Sequence, residues 1–185
     1  MLHSRAAYVG ITVDGMSDRN RIDRLVAEAE IRDVLGRYCR AIDRCDETLL
    51  RSCYHPDATD EHGSFSGTVD EYVEWVFRLL AKYDGTTHML AQSVFDWDEA
   101  LRDPGVRVET YGTSTHWGIA DRADLNLVTG FRFIDRFAFR DGAWRIAKRV
   151  AIAEWSRRTE SSSVWPIPVG HRRGSRDHAD PAFGP

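Results

Sequence analysis

The sequence predicts an α+β domain in which a curved antiparallel sheet wraps around three N-terminal helices. Apolar residues recur at helical spacing only in the first half of the chain. The second half breaks instead into long runs that alternate in steps of two. Asp141-Gly142 stands between two of those runs, and Asp-Gly between strands is a strong hairpin signal.

Each element follows from local pattern. Ile22 to Ile42 carries Leu25, Ala29, Val34, Leu35, Tyr38 and Ile42 at helical spacing with charges between them, which predicts a long amphipathic helix. Asp46 to Tyr54 reads as a short second helix, ended by His55-Pro56 because proline disfavours helix in its predecessor. Ala58 to Phe65 suits a short strand and a turn. A third helix spans Val69 to Tyr83, with Tyr72, Val73, Val76, Leu79 and Leu80 as its buried stripe and Asp84-Gly85 closing it. Four strands follow at Thr87–Trp97, Val106–Ile119, Leu125–Arg140 and Ala143–Trp155. Residues 1–18 read as a flexible leader, with Met16 as an alternative start, and 19–158 as the domain. Residues 159–185 form an extended tail whose Trp165, Ile167 and Val169 suit docking on a neighbour.

The 185 residues suit one domain with tails. A net charge of -4 gives no electrostatic case for nucleic acid or an anionic membrane. No apolar run approaches the roughly 20 residues of a membrane span, and residues 1–18 lack the apolar core of a signal peptide. Cys39, Cys45 and Cys53 match neither a disulfide framework nor a zinc site, so a reducing cytoplasm is the expected compartment. With no Gly-rich phosphate loop and no His/Cys ligand cluster, neither a metal nor a cofactor is expected.

The last strand, Trp144 to Trp155, is the most informative stretch. One face carries Trp144, Ile146, Lys148, Val150 and Ile152 and reads mostly as core. The other carries Arg149 between Ala147, Ala151 and Ala153, which suggests a guanidinium reaching into a hollow; the plainer reading is a strand edge with Arg149 in solvent. Asp43 ends the first helix with Cys39 and Gly36 behind it, small residues that leave space. Its plainer reading is a surface ion pair with Arg40 or Arg44. Tyr38, His88, His62 and His116 each fit a satisfied core residue as well as a site. Asp135, between Phe133 and Phe137, must be paired if buried and reads as structural.

Taken together, Tyr38 and Asp43 on one helix, Thr87-His88 at a long strand and Asp141-Gly-Ala-Trp144 leading to Arg149 resemble the SnoaL-like family of the NTF2-like superfamily. The resemblance runs from about Arg24 to Arg158 and implies a cone-shaped α+β barrel. It points to the cofactor-independent dehydratases and dehydrohalogenases, similar to bile acid 7α-dehydratase, hexachlorocyclohexane dehydrochlorinase and scytalone dehydratase. By that resemblance Asp43 and His88 form a catalytic dyad, joined by Arg149 and Tyr38. His62 and His116 fall at substrate-binding positions. Phe131 and Phe133 stand where the scytalone enzyme holds its substrate with polar residues, so that substrate is not expected.

The chemistry gives these residue types a reason. Elimination removes a C–H proton while charge builds on oxygen; histidine is suited as base, and a carboxylate fixes its tautomer. Tyrosine and arginine can stabilise the developing charge. The expected substrate is a bulky apolar molecule such as a steroid, polyketide or aromatic, with Trp117 and Phe133 among the aromatics lining its pocket. A polyketide cyclase or ketosteroid-type isomerase would use a similar set. A non-catalytic scaffold, such as a dioxygenase small subunit, would have a filled interior and no His88–Asp43 contact. Epoxide hydrolysis would want a second carboxylate beside Asp43. An exposed sheet face favours assembly into a homodimer or homotrimer.

Overall fold

The computed structural model describes residues 18–97, 105–119, 125–160 and 167–183. Helix α1 (Asp18–Arg44) is followed by α2 (Glu47–Ser52), β1 (Tyr54–His62), β2 (Phe65–Thr68) and α3 (Val69–Leu80). Four long strands then run in sequence, β3 (Tyr83–Asp96), β4 (Gly105–Ile119), β5 (Leu125–Arg140) and β6 (Ala143–Glu160). They form one curved, unclosed sheet in the order β2-β1-β6-β5-β4-β3. Every neighbouring pair is antiparallel except β1 and β6, which run parallel. That exception follows from the chain leaving α2, pairing with the last strand and only then turning back. No helix among the described residues is long and apolar enough to cross a membrane.

Local chemistry sets the element ends. α1 stops because Cys45 adopts a left-handed conformation (φ 53°), with the Cys45 and Asp46 N–H groups donating back to Ile42 and Ala41 carbonyls. Asp46 then caps α2 by accepting from the Leu49 N–H. Thr68 and Glu71 form a reciprocal capping box at the start of α3. α3 ends at Leu80, so Asp84-Gly85 lies inside β3 rather than closing the helix. Gly85 is needed there for packing: a Cβ at that position would overlap the Trp117 indole lying on it. The β5–β6 hairpin turns through Asp141 and Gly142, both with positive φ, as that turn type demands.

The core lies between the helices and the concave face of the sheet. Ile31, Val34, Leu35, Tyr38 and Ile42 from α1 meet Tyr72, Val73 and Leu80 from α3 over Phe133, Phe137 and Ile146. The expected stripe of α1 begins too early. Leu25 and Ala29 are exposed, as are Ile22 and Val26. A helix of 27 residues is roughly 40 Å long, and its first turns overrun the sheet beneath.

β6 also departs from strict alternation. Its pairing with β5 passes from Phe137↔Ile146 to Arg136↔Lys148, so Ala147 is an extra residue, a β-bulge. Ile146 and Arg149 therefore both point inward, although three residues apart, and both are fully buried. Lys148 turns outward and pairs with Glu61 at 2.9 Å. The expected faces hold up to Ile146 and again from Arg149 to Ala153, exchanging across the bulge. A second extra residue, Glu154, turns Trp155 to the exposed face instead of the expected Arg149 face.

Candidate active site

The Schellman-type end of α1 places Asp43 in the last helical turn, facing the start of β3. Both of its carboxylate oxygens are used there. Oδ1 accepts from the His88 ring at Nδ1 (2.7 Å), and Oδ2 accepts from the His88 backbone N–H (2.9 Å). A carboxylate in this role only accepts, so Nδ1 carries a proton, and in the neutral ring the lone pair is then on Nε2. The side chains are largely buried, His88 at 10% and Asp43 at 13% exposure, so the contact is shielded from solvent. The surface ion pair with Arg40 or Arg44 is not what forms. Arg40 donates to the Ala182 carbonyl and Arg44 pairs with Asp180, both in the C-terminal segment. That segment straps back over its own chain, where Arg176 donates to the carbonyls of Leu80 and Tyr83. Ile167 and Val169 remain exposed, and Trp165 lies outside the described residues.

His88 looks into a cavity of about 190 Å³ between α1, α3 and the sheet, with Asp43 standing behind it. The lining is mostly apolar. Phe131 and Phe133 lie against each other at 4.6 Å, and Ala151 and Ala153 keep the adjoining surface low. Tyr38 and Tyr72 share a hydrogen bond between their hydroxyls (2.6 Å) on the helical side. Burial pushes both phenols above their ordinary range, so they are neutral donors. His62 stacks on Tyr72, and His116 packs against Tyr83 and lies 5.9 Å from His88. The cavity thus brings together His88, Tyr38, His62, His116 and Phe133, five of the eight residues expected to form the site.

Three are placed otherwise. Asp43 acts only through His88. Trp117, next in sequence to His116, points to the other face of β4 and covers Gly85, so it does not line the cavity. Arg149 is wholly buried beneath the cavity wall, with its guanidinium 4.1 Å from the Tyr38 ring and 3.9 Å from Phe133. Its Nε and Nη2 donate to the two oxygens of Asp135, each at 2.7 Å. Asp135 is thus paired, as expected, and the guanidinium reaches a carboxylate rather than a hollow. Burial is the strongest single influence and opposes the Arg149 charge, but Asp135, by charge and hydrogen bonds, together with Tyr54 and Tyr38 holds the group above its ordinary value. Tyr72 and Asp60 were missed from the sequence: Tyr72 passes for plain core, while Asp60 shares a strand face with His62 by two-residue spacing, a signal that was available.

His116 is driven down to about 4 from an ordinary 6.5, first by burial and then by His88. Its folded-state value is depressed, so below 6.5 the unfolded chain takes up a proton that the folded one refuses. Stability is therefore complete above that pH and falls as pH drops toward 4, by about 3 kcal/mol at most. Denaturant titrations across this window should show the slope, and His116→Phe should flatten it. An unchanged slope would mean that another group sets the acid limit.

Residues 23–150 match the family described as the SnoaL-like domain, which is well over half of the chain. The chain belongs to the SnoaL-like family. Solved structures with the same NTF2-like fold include LinA, at 20% identity and a TM-score of 0.67 over 80% of this SnoaL-like chain and 98% of that one. A hexachlorocyclohexane dehydrochlorinase (LinA) of type 2 matches at 18% identity and a TM-score of 0.68, covering 82% and 99%. A scytalone dehydratase-like protein from Novosphingobium aromaticivorans matches at 16% and 0.65, covering 83% and 99%. At such identities the likeness establishes the fold of the SnoaL-like chain and no more. A comparison with curated proteins finds no match.

Proposed function

We propose that this chain is a cofactor-independent lyase that removes water or hydrogen halide from a small, largely apolar ring compound. The observation that carries this reading is the His88–Asp43 contact at the wall of a cavity. His88 Nε2 takes a C–H proton, and Asp43 stabilises the imidazolium that forms. Charge growing on a substrate oxygen meets the Tyr38–Tyr72 hydroxyl pair. Fold neighbours named as a dehydrochlorinase and a scytalone dehydratase-like protein favour elimination. A cavity that is open rather than filled favours an enzyme over a scaffold.

Its volume sets the substrate scale. About 190 Å³ lies below the usual 300–1,000 Å³ of ligand pockets, while about 150 Å³ already admits benzene. One substituted ring fits; a four-ring steroid would need the walls to move. The test is a panel of cyclic β-hydroxy ketones and their β-chloro counterparts, followed by the ultraviolet absorbance of the enone product. Product formation that depends on His88 is expected. Migration of a double bond without loss of a group would instead place the chain among isomerases.

The reading extends to assembly and compartment. Tyr111, Trp117 and Trp155 remain exposed among the ion pairs of Arg132 with Glu109 and Glu154, and covering these aromatics favours a homodimer or homotrimer. Light scattering on the purified chain should give two or three chain masses, and a monomer at micromolar concentration would refute it. Three free cysteines suit a reducing cytoplasm.

A further inference from the structure

The wall opposite His88 holds a second histidine with a carboxylate behind it. Asp60 and His62 lie two residues apart on β1, so both face inward. Asp60 is completely buried, and its Oδ2 accepts from the Tyr54 hydroxyl at 2.6 Å. Its Oδ1 lies 3.5 Å from His62 Nδ1, an ion-pair distance without hydrogen-bond geometry, and neither atom has any hydrogen-bond partner among the described residues.

Register makes the charge count plain. Asp60 on β1 is the cross-strand partner of Arg149 on β6, which is the partner of Asp135 on β5. Two carboxylates and one guanidinium, all buried, leave this row one positive charge short. An uncompensated charge away from water is costly, and a proton shared with His62 cancels it. The rings packed on His62 are Tyr72 and Trp75 from α3 and Phe133 from β5. The titratable groups it senses across the cavity and the sheet are His116, itself held neutral by burial, and Asp135; none supplies a cation.

We propose that Asp60 and His62 form a second acid–base pair, in which His62 holds the proton the buried row lacks and donates it to the departing group. The proposal rests on the lyase reading and deepens it. The two imidazoles stand at opposite ends of one aromatic pair: His62 is 6.0 Å from the Phe133 ring and His88 is 6.0 Å from Phe131. A substrate ring lying on Phe131 and Phe133 therefore meets a base on one side and an acid on the other.

The step balances. His88 Nε2 takes the C–H proton, and that bond's electron pair becomes the new C=C bond. The C–O bond breaks with its pair on oxygen, which takes the His62 proton and leaves as water. One proton has moved from His62 to His88, and exchange with solvent resets both. Chloride departs without needing a proton, so loss of halide makes no demand on His62.

Nitrogen NMR of the histidine rings in the substrate-free protein decides the resting state. At neutral pH both nitrogens of His62 should carry protons, and Asp60→Asn, which preserves the Tyr54 contact, should leave His62 neutral. Kinetics with a cyclic β-hydroxy ketone and its β-chloro counterpart decide the donation. His62→Gln should slow loss of water by about 100-fold or more and loss of chloride by far less. A neutral His62 in the unaltered protein, or equal slowing of both reactions, overturns the proposal. Absence of any turnover with the NMR signature intact would strike the lyase reading instead.

Discussion

Asp43→Asn is expected to lower turnover by about 10⁴-fold, the loss seen when the orienting aspartate of a serine protease triad becomes an amide. The reason is specific to the geometry. Asp43 accepts two hydrogen bonds at once, from the His88 ring and from its backbone N–H. An amide can satisfy only one of them with its oxygen. If that oxygen keeps the backbone bond, its NH₂ faces the ring, and Nδ1 must give up its proton to accept. The proton then moves to Nε2, and the lone pair facing the cavity disappears. His88→Ala should remove turnover to a similar degree. Both variants should keep the native fold, because the dyad lies at the cavity wall and its loss opens no gap in the close-packed helix–sheet core. Steady-state kinetics with circular dichroism on the same samples would check this. An Asp43→Asn protein that retains more than about a tenth of the original rate would rule out the dyad as the base.

How much of this was legible in the sequence depends on the distance over which each feature is specified. The helices-then-sheet order and the Asp141-Gly142 turn are local patterns, and both appear as read. The meeting of Asp43 and His88 spans 45 residues, and it was legible only through the resemblance, never from spacing. The bulge at Ala147 carries no composition signal, since alanine is ordinary in a strand, yet it decides that Arg149 faces the interior together with Ile146. The parallel pairing of β1 with β6 is likewise absent from a helix-then-meander pattern. It brings Asp60 beside Arg149, so the buried charge row could not be read in advance. Arg40 and Arg44 looked like partners for Asp43 because their partners, Ala182 and Asp180, lie at the far end of the chain.

Arg149→Met should be the most destabilising single change, lowering unfolding free energy by about 3–5 kcal/mol. Methionine fills much of the guanidinium's volume, so the loss is electrostatic rather than a cavity. It strands Asp135, whose two oxygens both accept from Arg149, in a fully buried position. It also removes the cation seated against the Tyr38 and Phe133 rings. Adding Asp135→Leu should restore most of the stability, because an apolar pair of similar shape costs less than one orphaned charge. Urea unfolding of the single and double variants would check both halves. If Arg149→Met costs less than about 1 kcal/mol, the guanidinium is not holding the charge row together. Arg149→Lys separates this structural role from substrate binding: it keeps the charge but loses the two-pronged contact. A role confined to the buried row predicts a lower denaturation midpoint with the ratio of water loss to chloride loss unchanged, whereas a guanidinium acting on substrate would shift that ratio.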